Sequence, residues 1–205
     1  MRLLLLSDEE DKSLWDFYQP ERLAGIDMIL SAGDLKAEYL SFLVTMANRP
    51  LLYVRGNHDG DYVRRPPEGC ECVEDRIAVV NGLRILGLGG CLRYNQGASC
   101  QYTEREMQRR IRHLWLALHR HGGIDILLTH APARGLGDAE DLAHRGFAAF
   151  LPLLDRWKPR YLIHGHVHKR YGVNLPRTLQ YGDTTIINAA VGRYVLDIAD
   201  PGQIP

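Results

Sequence analysis

Short apolar runs that each empty into an acidic, amide or histidine side chain restrict this chain to an alternating α/β architecture. Residues 2–6 run into Ser7-Asp8, residues 27–31 into Gly33-Asp34, and residues 51–54 into Gly56-Asn57-His58-Asp59. Residues 124–129 run into His130, and Tyr161, Leu162 and Ile163 lead to Gly165-His166-Val167-His168. Runs this short and this continuously apolar read as strands buried on both faces. Helical patterns separate them, over residues 36–46 and again over residues 103–121. In sheets built this way, sites gather outside the carboxyl ends of the strands.

The middle of the chain changes character. Residues 76–80 and 83–88 are strand-like and joined by Asn81-Gly82, a strong hairpin signal. Thr103 and Glu106 have capping-box spacing, and Met107, Ile111, Leu114 and Leu118 make an apolar stripe at helical spacing. Arg105, Arg109, Arg110 and Arg112 lie mostly off that stripe and read as a solvated face. Pro152, inside the pattern of Phe147, Leu151 and Leu154, is expected to distort that helix. Residues 175–180, 184–189 and 193–198 read as antiparallel strands closing a second sheet. No repeat, low-complexity tract or linker divides residues 1–205, so one domain is expected.

Composition narrows the function classes. Lys plus Arg (25) equals Asp plus Glu (25), which gives no global attraction to a polyanion or an anionic membrane. The cysteines Cys70, Cys72, Cys91 and Cys100 match neither a paired zinc motif nor a dense disulfide framework, and read as free thiols in a reducing compartment. The apolar opening is too short for a signal peptide core, and no run approaches a membrane span, so a cytoplasmic protein is expected.

The strand-end groups carry the chemistry. Carboxylates suit hard cations and can bridge them, whereas imidazole suits manganese, iron or zinc. In extended chain, residues two apart share a side, which lets His166 and His168 face one volume. Acid, amide and imidazole groups at successive strand ends point to two metals held side by side, an arrangement that clamps a phosphoryl group.

The set Gly33-Asp34, Gly56-Asn57-His58-Asp59, Thr129-His130 and Gly165-His166-Val167-His168 resembles the calcineurin-like metallophosphoesterases. That resemblance spans Asp8 to His168. It implies a four-layer α-β-β-α sandwich of two mixed sheets flanked by helices, with a dinuclear centre of divalent ions. It further implies that Asp34 bridges both ions, that Asp8 and His168 hold the first, and that Asn57, His130 and His166 hold the second. His58 resembles the non-ligand histidine that protonates the leaving oxygen, and Asp59 would orient His58 or its loop.

One departure stands out. The family's first motif is usually Asp-x-His, and here it is Asp8-Glu9-Glu10. Glu10, two residues from Asp8, is expected to ligate the first ion directly or through water, which tilts the choice toward Mn2+ or Mg2+ over zinc, with iron also open. The other reading has Glu10 facing solvent and the first site weak or empty. Glu9 and Asp11 are expected to face away. Arg93, after the Gly89-Gly90 loop, is either a phosphate-binding arginine or a surface one. His164 and His144 read as packing residues, with phosphate contact a second option for His144. The chain is expected to hydrolyse a small phosphate ester, nucleotides included, with diesters slightly favoured over monoesters, as a monomer or small homo-oligomer. The alternative is a non-catalytic scaffold of the same fold that binds protein.

Overall fold

The computed structural model describes residues 1–168 and 176–199. Among the described residues, thirteen strands, β1 to β13, and four α-helices, α1 to α4, follow in chain order. A five-stranded sheet has the order β13-β1-β2-β3-β4, made of Tyr194–Asp197, Arg2–Leu6, Met28–Ser31, Leu51–Tyr53 and Glu71–Cys72. A six-stranded sheet has the order β11-β12-β10-β9-β6-β5, made of Thr178–Tyr181, Thr184–Asn188, Tyr161–His164, Ile126–Thr129, Leu83–Leu88 and Ile77–Val80. The short strands β7 (Cys91–Leu92) and β8 (Gln101–Tyr102) pair separately. Both large sheets are mixed: β1, β2 and β3 run parallel with β13 antiparallel to β1, and β6, β9, β10 and β12 run parallel between antiparallel edges.

The layers follow from which faces are apolar. Leu3, Leu5, Met28 and Leu30 of one sheet meet Ile85, Ile126, Leu128 and Ile163 of the other in the central core. The alternate residues Leu4, Leu6 and Ile29 pack outward on Leu40 and Leu43 of α1 (Ala37–Ala47). On the far side, Leu86, Leu127 and Leu162 pack on Met107, Leu118 and Leu153 from α2 (Glu104–His113), α3 (Trp115–Arg120) and α4 (Phe150–Trp157). Strands covered on both faces have no polar face to show, which is why their sequences do not alternate.

Most local signals hold. Asn81 and Gly82 both take positive φ (50° and 80°), as a two-residue hairpin requires. The Thr103–Glu106 capping box forms reciprocally. Four expectations need correction. The long helix breaks at Leu114 into α2 and α3. Pro152 is the third residue of α4, where its missing N–H has no intrahelical acceptor to lose, so the helix accommodates it. Arg110 is not solvated: it bonds Asp75 at 2.8 Å and the Gly89 carbonyl at 2.9 Å, and lies 4.2 Å from the Tyr102 ring centroid. The last three strands do not share a sheet, because β13 crosses back to lie beside β1, pairing Leu196 with Leu3. Leu175, where the sequence placed the start of β11, lies outside the described residues.

Glu74 ties the two sheets near the site. Its carboxylate accepts from the Arg55 backbone N–H (2.7 Å), Nε (3.2 Å) and Nη2 (2.6 Å), while its own backbone bridges Gly87 of β6. That side chain is only 8 % exposed. Glu74→Ala strips the Arg55 guanidinium of its partner, and is expected to cost about 2–4 kcal/mol of stability in urea unfolding. Glu74→Gln, which keeps an acceptor, should cost less.

Candidate metal centre

The carboxyl ends of β1, β2, β3, β9 and β10 converge where the two sheets meet. Short backbone links set the spacing. The Asp8 N–H donates to the Gly33 carbonyl at 3.0 Å, and the Gly165 N–H donates to the His130 carbonyl at 2.9 Å. The His166 N–H donates to Asp8 Oδ2 at 2.8 Å, joining the first and tenth strands. Gly165 serves proximity at this junction: a Cβ there would sit 1.9 Å from Ser7 Oγ. The left-handed residue of that turn is His166 (φ 70°), so His166 and His168 do not share a side through extended geometry. Gly56 is likewise needed for contact, since a Cβ there would lie 2.0 Å from Asp34 Oδ1.

His130 is fully buried, and its two nitrogens have separate tasks. Nδ1 lies 2.7 Å from the Ala32 carbonyl. A carbonyl only accepts, so Nδ1 carries the hydrogen. Nε2 then faces Asn57 Oδ1 at 3.0 Å and Asp34 Oδ2 at 3.4 Å. Three electron-pair donors aimed at one another need a cation between them, either a proton or a metal. His166 is held the opposite way round: Nε2 donates to the Ala143 carbonyl at 2.6 Å, which leaves Nδ1 as its ligand atom. Asp34, His130 and His166 offer ligand atoms all within 4.8 Å of one another, a donor set that fits a divalent ion.

Electrostatics agree. Burial pushes His130 down, but the Asp34 charge beside it outweighs burial and raises it to about 9. Burial likewise opposes ionisation of Asp34, yet His130 and the His58 backbone N–H hold its carboxyl down at about 2. Burial and the His130 charge push His166 down to about 3, so that ring is neutral and able to ligate. Asp8 is raised by burial. Asp59 is raised by burial to about 6, although its Oδ2 accepts both the Asp34 N–H (2.8 Å) and the Gly56 N–H (2.7 Å) and so fixes the loop backbone.

The remaining sequence candidates take distinct places. Asp8, Asp34, His58 and His168 line two cavities, one of about 830 Å³ and one of about 350 Å³. His58 is exposed, outside the ligand cluster, and its backbone N–H donates to Asp34 Oδ1 at 2.8 Å. Asn57 donates its amide to the Tyr94 hydroxyl at 3.2 Å, which turns Oδ1 toward His130. Glu10 lines the larger cavity, and its carboxylate pairs with Lys36 Nζ at 3.1 Å. Glu9, expected to face away, lines that cavity too, and Asp11 pairs with Arg193 at 3.4 Å. Arg93 lines neither cavity; Glu106 holds its guanidinium at 2.9 Å. His164 is buried as expected, and burial lowers it to about 4. His144, read mainly as packing, lines the smaller cavity. Sequence reasoning missed Lys36 and Asp141 altogether. Lys36 follows Asp34 by two residues, which was the one available hint.

Known proteins resemble this chain in sequence and fold. The calcineurin-like phosphoesterase family model matches residues 6–170. A UPF0046 protein of Caenorhabditis elegans is 37 % identical, over 80 % of this chain and 67 % of its own length. One crystal structure superposes with a TM-score of 0.66 at 14 % identity, covering 91 % of this chain and 89 % of the other. That of TT1561 from Thermus thermophilus gives 0.60 at 17 % identity, covering 92 % and 90 %. At these identities the structures speak to fold alone. Among the described residues, no helix is long and apolar enough to cross a membrane.

The His130 contribution has a defined pH window. Its folded value lies above the ordinary histidine value of about 6.5, so the stabilisation is fully present below that pH and lost as pH rises through about 9. Chelator-treated protein should therefore lose thermal stability between pH 6.5 and 9, and His130→Asn should lack that part of the slope.

Proposed function

The chain belongs to the calcineurin-like phosphoesterase family, and we propose that it is a metal-dependent phosphoesterase acting on small phosphate esters, nucleotides among them. The convergence of Asp34, His130, His166 and Asn57 lone pairs on one volume carries this reading. Asp34 would be shared by two ions, with Asp8 and His168 on the first and Asn57, His130 and His166 on the second. Divalent ions there, Mn2+ foremost given the carboxylate share, supply charge to the phosphoryl oxygens and lower the pKa of attacking water.

The protein's own groups do the rest. The Asp34 carboxylate uses one oxygen on the His58 N–H, which fixes the His58 backbone at the wall of both cavities. From its exposed position at both cavities, His58 would deliver a proton to the leaving oxygen. Tyr94 keeps the Asn57 amide from rotating away. Two cavities that share Asp8, Asp34, His58 and His168 give room for more than one substituent on a bound phosphoryl group, which favours a diester.

Apoprotein reloaded with manganese should hydrolyse bis(p-nitrophenyl) phosphate faster than p-nitrophenyl phosphate. His58→Ala should keep its metal and lose about 10²- to 10⁴-fold on alkyl esters, and much less on activated aryl esters. Equal losses on both would remove His58 from the acid role.

A second reading, a scaffold that binds protein, draws on the Lys36–Glu10 pair, because Lys36 neutralises the carboxylate that replaces the usual histidine. Lys36→Met separates the two. An exposed pair is worth about 0.2–1 kcal/mol, so Mn2+ binding by calorimetry should tighten up to about fivefold if Glu10 is a ligand. Unchanged affinity, with no turnover of either ester under any ion, would favour the scaffold.

A further inference from the structure

The outer face of α2 and α3 carries charge that nothing in the fold uses. Met107, Leu114 and Leu118 are buried in one core cluster, and Leu114 keeps a helical backbone (φ −84°, ψ −6°), so both helices turn the same side inward. The opposite side then carries Arg105, Arg109, Arg112, Leu116 and Arg120, spaced four, three, four and four residues apart, and all five are exposed. From Met107 to Ile124 the chain contains no carboxylate. The two acids at the start of α2 are already engaged: Glu104 accepts the Ala148 and Ala149 N–H groups, and Glu106 holds Thr103 and Arg93. Among the described residues, no carboxylate pairs with Arg105, Arg109, Arg112 or Arg120, whereas the nearby Arg84, Arg93 and Arg110 pair with Asp125, Glu106 and Asp75.

Two large apolar side chains share this face. Leu116 is 52 % exposed in the middle of the arginine row, and Trp115, at its edge, is 54 % exposed. The Trp115 ring rests on His119 at 3.9 Å between centroids, and His119 Nε2 lies 3.3 Å from Arg156 Nη2, which adds a further cation beside the row. Like charges three and four residues apart repel and weaken a helix, so a face meant only for water intersperses acids among its bases. It also has no use for a projecting leucine. Arginines surrounding Leu and Trp on a helix that lies flat are the composition of an interfacial helix, in which the cations meet anionic headgroups and the apolar groups enter the acyl boundary. A nucleic-acid backbone would use the arginines but leave Leu116 facing phosphates. The formal net charge of the chain is zero, so attraction of this kind is confined to this face.

We propose that the outer face of α2 and α3 docks the protein on an anionic lipid surface, with Arg105, Arg109, Arg112 and Arg120 on the headgroups and Leu116 and Trp115 in the acyl boundary. No residue of either helix lines the two cavities, so the inference stands apart from the phosphoesterase reading.

The test is co-sedimentation of the full chain with vesicles of phosphatidylcholine alone and with vesicles containing about 30 mol% phosphatidylserine. Binding should be confined to the mixed vesicles and should weaken as salt is raised. Arg109→Gln and Arg112→Gln should each lower the partition coefficient about fivefold. Leu116→Ser should lower it about five- to tenfold. Arg49→Gln, an exposed arginine at the far end of α1, should leave it unchanged. Of the three tryptophans, Trp115 should account for a blue shift of emission on binding, which Trp115→Phe should abolish. Unchanged melting temperatures and unchanged Mn2+ binding would show that fold and centre are intact in each variant. Absence of binding to the mixed vesicles at low salt would overturn the proposal. So would equal losses from Arg49→Gln and Arg109→Gln, or binding indifferent to Leu116→Ser with no shift in Trp115 emission. Tighter binding to duplex DNA, lost in Arg109→Gln, would overturn the lipid assignment and give the face to a nucleic acid.

Discussion

One buried imidazole adds to the Asp8–His166 and Glu74–Arg55 links that hold the two sheets together at their carboxyl ends. His130 lies just past β9 of one sheet, and its Nδ1–H reaches the Ala32 carbonyl just past β2 of the other. Its own carbonyl receives the Gly165 N–H beyond β10. Its second nitrogen is then committed to the space bounded by Asp34 and Asn57. Sandwiched sheets otherwise meet through non-directional apolar contact, which tolerates small slips. A directional bond at the rim removes that freedom. The residue that fixes the sheets is also a candidate ligand, so the relative position of the sheets and the shape of the centre depend on the same atoms.

The fold was largely legible because burial on both faces writes itself as unbroken apolar runs. Leu3 to Leu6, Ile126 to Leu128 and Leu162 to Ile163 have little alternative to the interior. Partner choice was harder to read. Nothing local in Tyr194–Asp197 distinguishes an edge beside β1 from an edge beside β12, since an edge strand is half polar in either place. Pro152 and Leu114 show a related gap. A proline is costly in a helix interior and harmless in the first turn, so its effect depends on where the helix begins, and boundaries are weakly encoded.

For the candidate centre, residues just past strand ends are easier to place from sequence than residues on longer loops. A strand end fixes direction within a narrow range, so Asp8, Asp34 and His130 could be placed by counting. Loop side chains choose among competing partners. Arg93 had a plausible anion in a substrate, but Glu106 stands nearer because the capping box already holds that carboxylate at the start of α2. Glu10 had the spacing of a ligand, yet Lys36 lies within reach from across the cavity. Asp141 sits three residues before His144 in a loop that Asp138 shapes, and only folding that loop brings the dyad to the cavity wall.

Asp8, Asp34 and His166 all take left-handed backbone conformations, at φ 62°, 58° and 70°. Such conformations disfavour side chains and persist only where the surrounding structure over-determines them. Here the determinants are hydrogen bonds within the chain, from the Asp8 N–H to the Gly33 carbonyl, from the Asp34 N–H to the Asp59 carboxylate and from the His166 N–H to the Asp8 carboxylate. These bonds tie the three left-handed residues to the folding of the surrounding chain. A donor cluster fixed in this way would discriminate among divalent ions by ligand chemistry and not by coupled folding.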